Sequence, residues 1–264
     1  DVYKRQGWNA MMLKGYVDAY KAFNKEEYLT TALNNAHFIV ERSMQTDGRL
    51  NRNYKDGKSS INAFLDDYGL TIEAFVALYQ VTFDEQWLKN ANKLMDYVNE
   101  HFYDDNTGMY FYTSDLDPKL IARKFEISDN VIPSSNSSIA KGLFLLGHYY
   151  YNENYVNRAE LMLNNVRDNV LTQTAFHSNW ALLETWMINK PFEIAIVGND
   201  WKKHLTEFNT YFLPNTIFLG GSNEGSLELL KNKLVEGSTM IYVCVDKSCK
   251  LPVSDVNDAI LQLK

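Results

Sequence analysis

The sequence predicts a mainly α chain of repeated helical hairpins, followed by a small α/β segment. Three observations predict it. Apolar residues recur at spacings of three and four through most of the chain before Pro191, a short elbow motif repeats, and strand-like apolar runs begin after Pro191.

The stretch from Asn62 to Ala91 shows the repeating unit. A polar and aromatic head (Asp66, Asp67, Tyr68, Gly69) runs into an apolar helix pattern through Leu70, Ile72, Phe75, Val76, Leu78 and Tyr79. The pattern breaks at Thr82-Phe83-Asp84, where Asp84 is placed as the N-cap of a second helix carrying Trp87, Leu88, Ala91, Leu94, Met95 and Val98. Tyr28-Leu29-x-x-Ala32, Trp87-Leu88-x-x-Ala91 and Tyr155-Val156-x-x-Ala159 repeat this elbow, 59 and 68 residues apart. That spacing suits a two-helix repeat with variable connections. Nineteen residues before each aromatic stand Asn9, Tyr68 and Asn136, near the start of each first helix. If the hairpins close in a ring, these heads gather at one mouth.

Taken in order, a first helix is expected from Trp8 to Phe23 and a second from the Asn24-Lys25 turn to Met44. A turn at Thr46-Asp47-Gly48 then leads into an extended piece ending near Asp56-Gly57. After the second hairpin, Asp104-Asp105-Asn106-Thr107-Gly108 turns into the aromatic run Met109-Tyr110-Phe111-Tyr112. Such aromatics either cap the core or stack on a ring-shaped ligand. Residues 113–133 form the longest irregular connection, and Ser134 to Ser138 run from it into the third hairpin, 137–171. These serines and Asn136 read either as helix caps or as groups for a polar ligand. A seventh helix over 175–189, with His177 at its start, has no second helix of its own. From Pro191 onward strands are expected at 192–198, 216–219 and 240–245, and helices at 201–212, 226–234 and 255–264, with parallel strand pairing. The boundary between the hairpin region, 7–190, and the α/β segment, 191–264, is placed there.

The 264 residues are 45% hydrophobic and 14% aromatic, enough for a substantial core. With 26 basic and 33 acidic residues the net charge is −7, which argues against nucleic acid as a partner. No apolar run approaches the roughly 20 residues that span a bilayer. The chain opens without Met and reads as a fragment, and residues 1–6 are given no functional weight. Two cysteines, Cys244 and Cys249, do not make a disulfide scaffold, so a cytoplasmic setting is expected. Their spacing is not a tight redox motif, and a metal would need two further ligands, so no metal or cofactor is expected.

Trp8-Asn9, Asp66-Asp67-Tyr68, Pro133-Ser134-Ser135-Asn136-Ser137, Ile194-x-Ile196-Val197-Gly198, and Tyr242-Val243-Cys244 followed by Cys249 and Pro252 together resemble the thioredoxin-domain-containing proteins of the spermatogenesis-associated protein type. The resemblance runs from Gly7 through nearly the whole chain. Ser135 stands where that family commonly has Gly. What the resemblance implies is an (α/α) toroid similar to the six-hairpin glycosidases and N-acylglucosamine 2-epimerases, incomplete here because earlier hairpins and a preceding thioredoxin-like domain are missing. It implies no particular reaction.

Glycoside hydrolysis at such a mouth uses two carboxylates flanking one bond. Asp66 and Asp67 are adjacent, about 100° apart on a helix, and are expected to diverge. Asp67 with Asp129 makes the better acid and base pair, and Trp8, Asn9, Asp66, Tyr68, Ser135, Asn136 and His177 the ligand-binding set. Against this stands a structural role for the aspartates, satisfying the helix N-terminus. Epimerisation favours paired histidines. Of His37, His101, His148, His177 and His204 only His177 begins an inner helix, so that arrangement is not visible. Two functions follow as expectations: a carbohydrate-active-like domain binding a sugar or polyol, or a non-catalytic scaffold for the thioredoxin-like domain, with Cys244 and Cys249 as accessible redox candidates.

Overall fold

A computed structural model of the chain describes residues 4–119 and 121–263. Three hairpins repeat the predicted unit. They are α1 (Gln6–Phe23) with α2 (Glu26–Arg42), α3 (Leu65–Thr82) with α4 (Glu85–His101), and α5 (Ser135–Tyr150) with α6 (Glu153–Thr172). A further inner helix, α7 (Ser178–Ile188), follows a 3-10 turn at Thr174–Phe176.

The elbow has one geometry in all three hairpins. Asn24, Phe83 and Tyr151 close their first helices in the left-handed conformation, at φ 50°, 52° and 51°. One residue later the next helix is capped, at Asp84 by its own carboxylate, which accepts from the Gln86 N–H at 3.0 Å. Ala32, Ala91 and Ala159 are fully buried, so each second helix lies close on its partner.

Helices α1, α3 and α5 stand side by side as the inner layer, with α2, α4 and α6 outside. Helix α3 is central, and its buried residues include Ile72, Phe75, Leu78 and Tyr79, each contributing about 1.5–3 kcal/mol by leaving water. The inner helices cross closely. A Cβ on Gly69 would come within 2.7 Å of the Ser138 Cβ, so α3 and α5 require hydrogen at that point. This is an incomplete α/α toroid, an arc of inner helices that begin at one end.

Short strands decorate that end. β1 (Lys4–Arg5), β2 (Asn51–Lys55) and β3 (Lys58–Asn62) form an antiparallel sheet in that order. The sequence reading missed β3 and set residues 1–6 aside. Asp1–Tyr3 lie outside the described residues, but Lys4 and Arg5 pair with β2, and Gln6 is buried against Thr71. Asp56 and Gly57, both with positive φ, make the two-residue loop that folds β3 back on β2. β4 (Tyr103–Asp104) pairs with β5 (Met109–Tyr110) before the irregular connection to α5.

After Pro191 come β6 (Phe192–Val197), α8 (Trp201–Phe208), β7 (Thr216–Gly221), β8 (Met240–Val245), β9 (Ser248–Cys249) and α9 (Val256–Leu261), with sheet order β7-β6-β8-β9. The expected parallel pairing is found for β6 and β7, which α8 connects, whereas β8 runs antiparallel to β6. The helix expected at 226–234 shrinks to a 3-10 turn at Glu228–Leu230, ended by Asn232 at φ 58°. Without a full crossover helix the chain re-enters from the opposite end. The last helix is shorter than expected, and Lys264 lies outside the described residues.

Cys244 and Cys249 are direct partners across the β8–β9 hairpin, whose loop residues Asp246 and Lys247 both have positive φ, and they are joined as a disulfide. The expectation of an accessible redox thiol at Cys244 or Cys249 is therefore corrected: Cys244 is buried, and Cys249 is exposed but bonded. Among the described residues no helix is long and apolar enough to cross a membrane, and no group of three or more His, Cys, Asp or Glu side chains is placed to hold a metal.

Candidate functional site

The N-terminal ends of the inner helices meet at one place. The Gly7 N–H of α1 donates to Asp67 Oδ1 of α3 at 2.8 Å, and Gly69 of α3 abuts Ser138 of α5. Asp129 joins α5 to α7. Its Oδ1 accepts from the Ser134 N–H at 2.9 Å and the Ser137 hydroxyl at 3.1 Å, and its Oδ2 accepts from the Asn179 N–H at 2.9 Å. One buried carboxylate thus caps two helices and complements both dipoles.

The adjacent aspartates converge, against the expectation that they diverge. Arg52 reaches over from β2 and donates from Nη1 to Asp66 Oδ1 at 3.0 Å and to Asp67 Oδ2 at 2.7 Å. A long side chain from another element can bridge two carboxylates that helix geometry alone separates. Asp67 Oδ2 also accepts from the Phe64 N–H at 3.1 Å, closing the first turn of α3. Asp67 is almost wholly buried. Burial, then the Asp66 charge, pushes its carboxyl up to about 7 against the opposing pull of Arg52 and the backbone N–H groups of Phe64 and Gly7. Two carboxylates before one guanidinium leave a surplus negative charge that a proton relieves.

Around this pair stand groups that sequence reasoning did not single out. The Tyr112 hydroxyl is raised by burial and then by the Asp66 charge, and Arg52 lies 4.6 Å from the centre of the Phe64 ring. Glu126 Oε2 accepts from the Ser135 N–H at 3.0 Å, and no hydrogen bond engages its other oxygen among the described residues. Arg52, Phe64, Tyr112 and Glu126 are all half-buried, so this corner is reachable. The available signal was position: each lies in a connection that leads into α3 or α5.

Several sequence-predicted residues lie deeper than a ligand would reach. Tyr68 is fully buried, stacks on Tyr97 and accepts from the Leu50 N–H at 2.8 Å. Asn136 is fully buried with its amide committed, accepting from the Tyr110 N–H and donating to the carbonyls of Tyr110 and Glu126. Ser135 is fully buried and its hydroxyl has no partner among the described residues. His177 donates from Nδ1 to the Gln173 carbonyl at 3.0 Å, which fixes its tautomer and leaves Nε2 buried and unpartnered. Trp8 is 55% exposed with Arg5 over its ring, and Asn9 donates to the Arg5 carbonyl. The structure brings Asp66 and Asp67 together and assigns Asp129, Tyr68 and Asn136 to holding the helix ends in place.

No family model matches the chain. It is distantly homologous to spermatogenesis-associated protein 20 of Rattus norvegicus, at 23% identity over 94% of this chain and 34% of that protein. It also matches the uncharacterized protein B0495.5 of Caenorhabditis elegans, at 25% identity over 95% of this chain and 36% of that protein. The chain therefore spans about a third of the length of the curated relatives it matches. Among solved structures, the cellobiose 2-epimerase of Bacillus thermoamylovorans superposes at TM-score 0.56, with 16% identity, over 79% of this chain and 57% of that one. The GH76 alpha-mannanase of Bacteroides thetaiotaomicron gives TM-score 0.56 at 15% identity, over 78% of this chain and 57% of that one. These likenesses establish the toroid fold.

Proposed function

We propose that the N-terminal end of the inner helices binds a saccharide or polyol, with the Asp66–Asp67 pair as its proton donor. The observation that carries this reading is the shared Arg52, which holds the two carboxylates side by side before one guanidinium. Asp66, Arg52 and Tyr112 offer hydroxyl-binding groups, and Phe64 an apolar face for a sugar ring. Asp67 carries three donors and is almost wholly buried, so in a hydrolytic or proton-transfer reaction the departing or receiving oxygen takes its proton from Asp66, whose Oδ2 no hydrogen bond engages among the described residues. Asp129, proposed from the sequence as the base, has three donors on its carboxylate. The base role therefore passes to Glu126, whose second oxygen is uncommitted. The epimerase and mannanase named above act on sugars and share this fold, which supports the substrate class and no particular reaction.

The test is a thermal-shift panel of monosaccharides, disaccharides and amino sugars on the wild type and on Asp66→Asn and Arg52→Met. A saturable rise with one sugar class, lost in both variants, is expected. A flat response across the panel, or a rise that both variants retain, would remove the proposal.

A further inference from the structure

Beyond that corner, on the concave face towards the C-terminal ends of the inner helices, lies a separate cleft of about 250 Å³. It is walled by α1, α3, α5 and α7 and closed by the segment from Leu213 to Ile217 that leads into β7. Its size, below the roughly 300–1,000 Å³ of drug-sized pockets, suits a small molecule.

Two polar groups in this cleft have hydrogen-bonding capacity left over among the described residues, although the Asp18 charge acts on one of them, Lys21. Glu73 is buried and its Oε2 pairs with Lys141 Nζ at 3.0 Å, while its Oε1 has no hydrogen-bond partner among the described residues. Lys141 is committed, donating also to Asn179 Oδ1 at 2.9 Å. Lys14 is likewise held by Asp18 at 2.8 Å. Lys21 is half-buried and makes no hydrogen bond among the described residues, and burial lowers its ammonium below the ordinary lysine value. A buried acceptor and a partly desolvated cation are each costly unless met.

The inner helices set the distance between them. Gly7 stands beside Asp67, so Lys21 lies level with the last turn of α3, roughly 12 Å along the axis from Glu73. Between the two run Val76, Ala77, Phe144 and the Trp186 ring. The complementary molecule carries an anion at one end and a hydroxyl donor at the other. A purely anionic ligand would satisfy only Lys21, and a purely apolar one neither group.

We propose that this cleft binds a small hydroxylated carboxylate, a linear hydroxy acid or sugar acid, with its carboxylate on Lys21 and a hydroxyl donating to Glu73 Oε1. The site is independent of the Asp66–Asp67 corner and stands or falls separately from it.

The experiment titrates the whole chain with gluconate, and with sorbitol as the neutral polyol of equal length, following thermal stability and heats of binding. Saturable gluconate binding that sorbitol does not displace is expected, weakened roughly tenfold or more by Lys21→Met, restored by Lys21→Arg and unaffected by Asp67→Asn. No saturable gluconate binding, displacement of gluconate by sorbitol at equal concentration, or gluconate binding that Lys21→Met leaves unchanged would overturn the proposal.

Discussion

Replacing Asp129 with alanine is expected to destabilise the fold by about 3 kcal/mol, because two buried helix N–H groups lose their acceptor together. Ser134 and Asn179 donate to opposite oxygens of this carboxylate, so no single water or neighbouring side chain replaces both bonds. The Ser137 hydroxyl suffers less, since it also donates to the Ser134 carbonyl. Asp129→Asn keeps one acceptor oxygen and is expected to cost about half as much, the amide nitrogen facing a donor on the other side. Urea unfolding checks both, with a shifted midpoint and an unchanged slope. A loss under about 0.5 kcal/mol in the alanine variant would mean that the caps at α5 and α7 are satisfied elsewhere.

Lys141→Met is expected to cost about 3–5 kcal/mol, because it strands the Glu73 carboxylate in the interior. Both side chains are about 9% exposed, and among the described residues Asn179 is the one other group that accepts a hydrogen bond from Lys141. The double variant Glu73→Gln with Lys141→Met is expected to recover most of the loss, since a buried ion pair removed whole leaves no orphaned charge. Chemical unfolding of the two single variants and the double completes the cycle. A harmless Lys141→Met would mean that water reaches the Glu73–Lys141 pair.

The hairpins were legible because their determinants are local. The aromatic, aliphatic and alanine of each elbow lie within five residues, and Asp84 caps a helix that begins next to it. The head positions were also legible by counting, since Asn9, Tyr68 and Asn136 fall in the first turns of α1, α3 and α5. What those residues do was not. Asp129 finds partners five, eight and fifty residues away, and Arg52 crosses from a strand to α3, relations that no local pattern encodes. Glu73 and Lys141 are 68 residues apart on two mostly buried helices. The spacing of seven from Asp66 to Glu73 and again to Gln80 marks one face of α3, and was the available sign that this buried helix keeps a polar stripe. The direction of β8 escaped for a related reason: it depends on how a weak helix signal at 226–234 resolves, and that signal yielded to packing of Leu227, Leu229 and Leu230.

If the corner formed by Arg52, Asp66 and Asp67 holds a proton near neutrality, the Asp67 side-chain carbon titrates there, and NMR reads that midpoint. A midpoint near 7 is expected, against about 3.9 for the unfolded chain. Because the folded state then binds the proton more tightly, this group's contribution to stability is present below about pH 4 and is lost as pH rises through about 7. Asp67→Asn should flatten that decline. A carbon that titrates at or below about 4, with stability level between pH 4 and 7, would show Asp67 to be an ordinary ion-paired cap and would contradict the proposed proton donor.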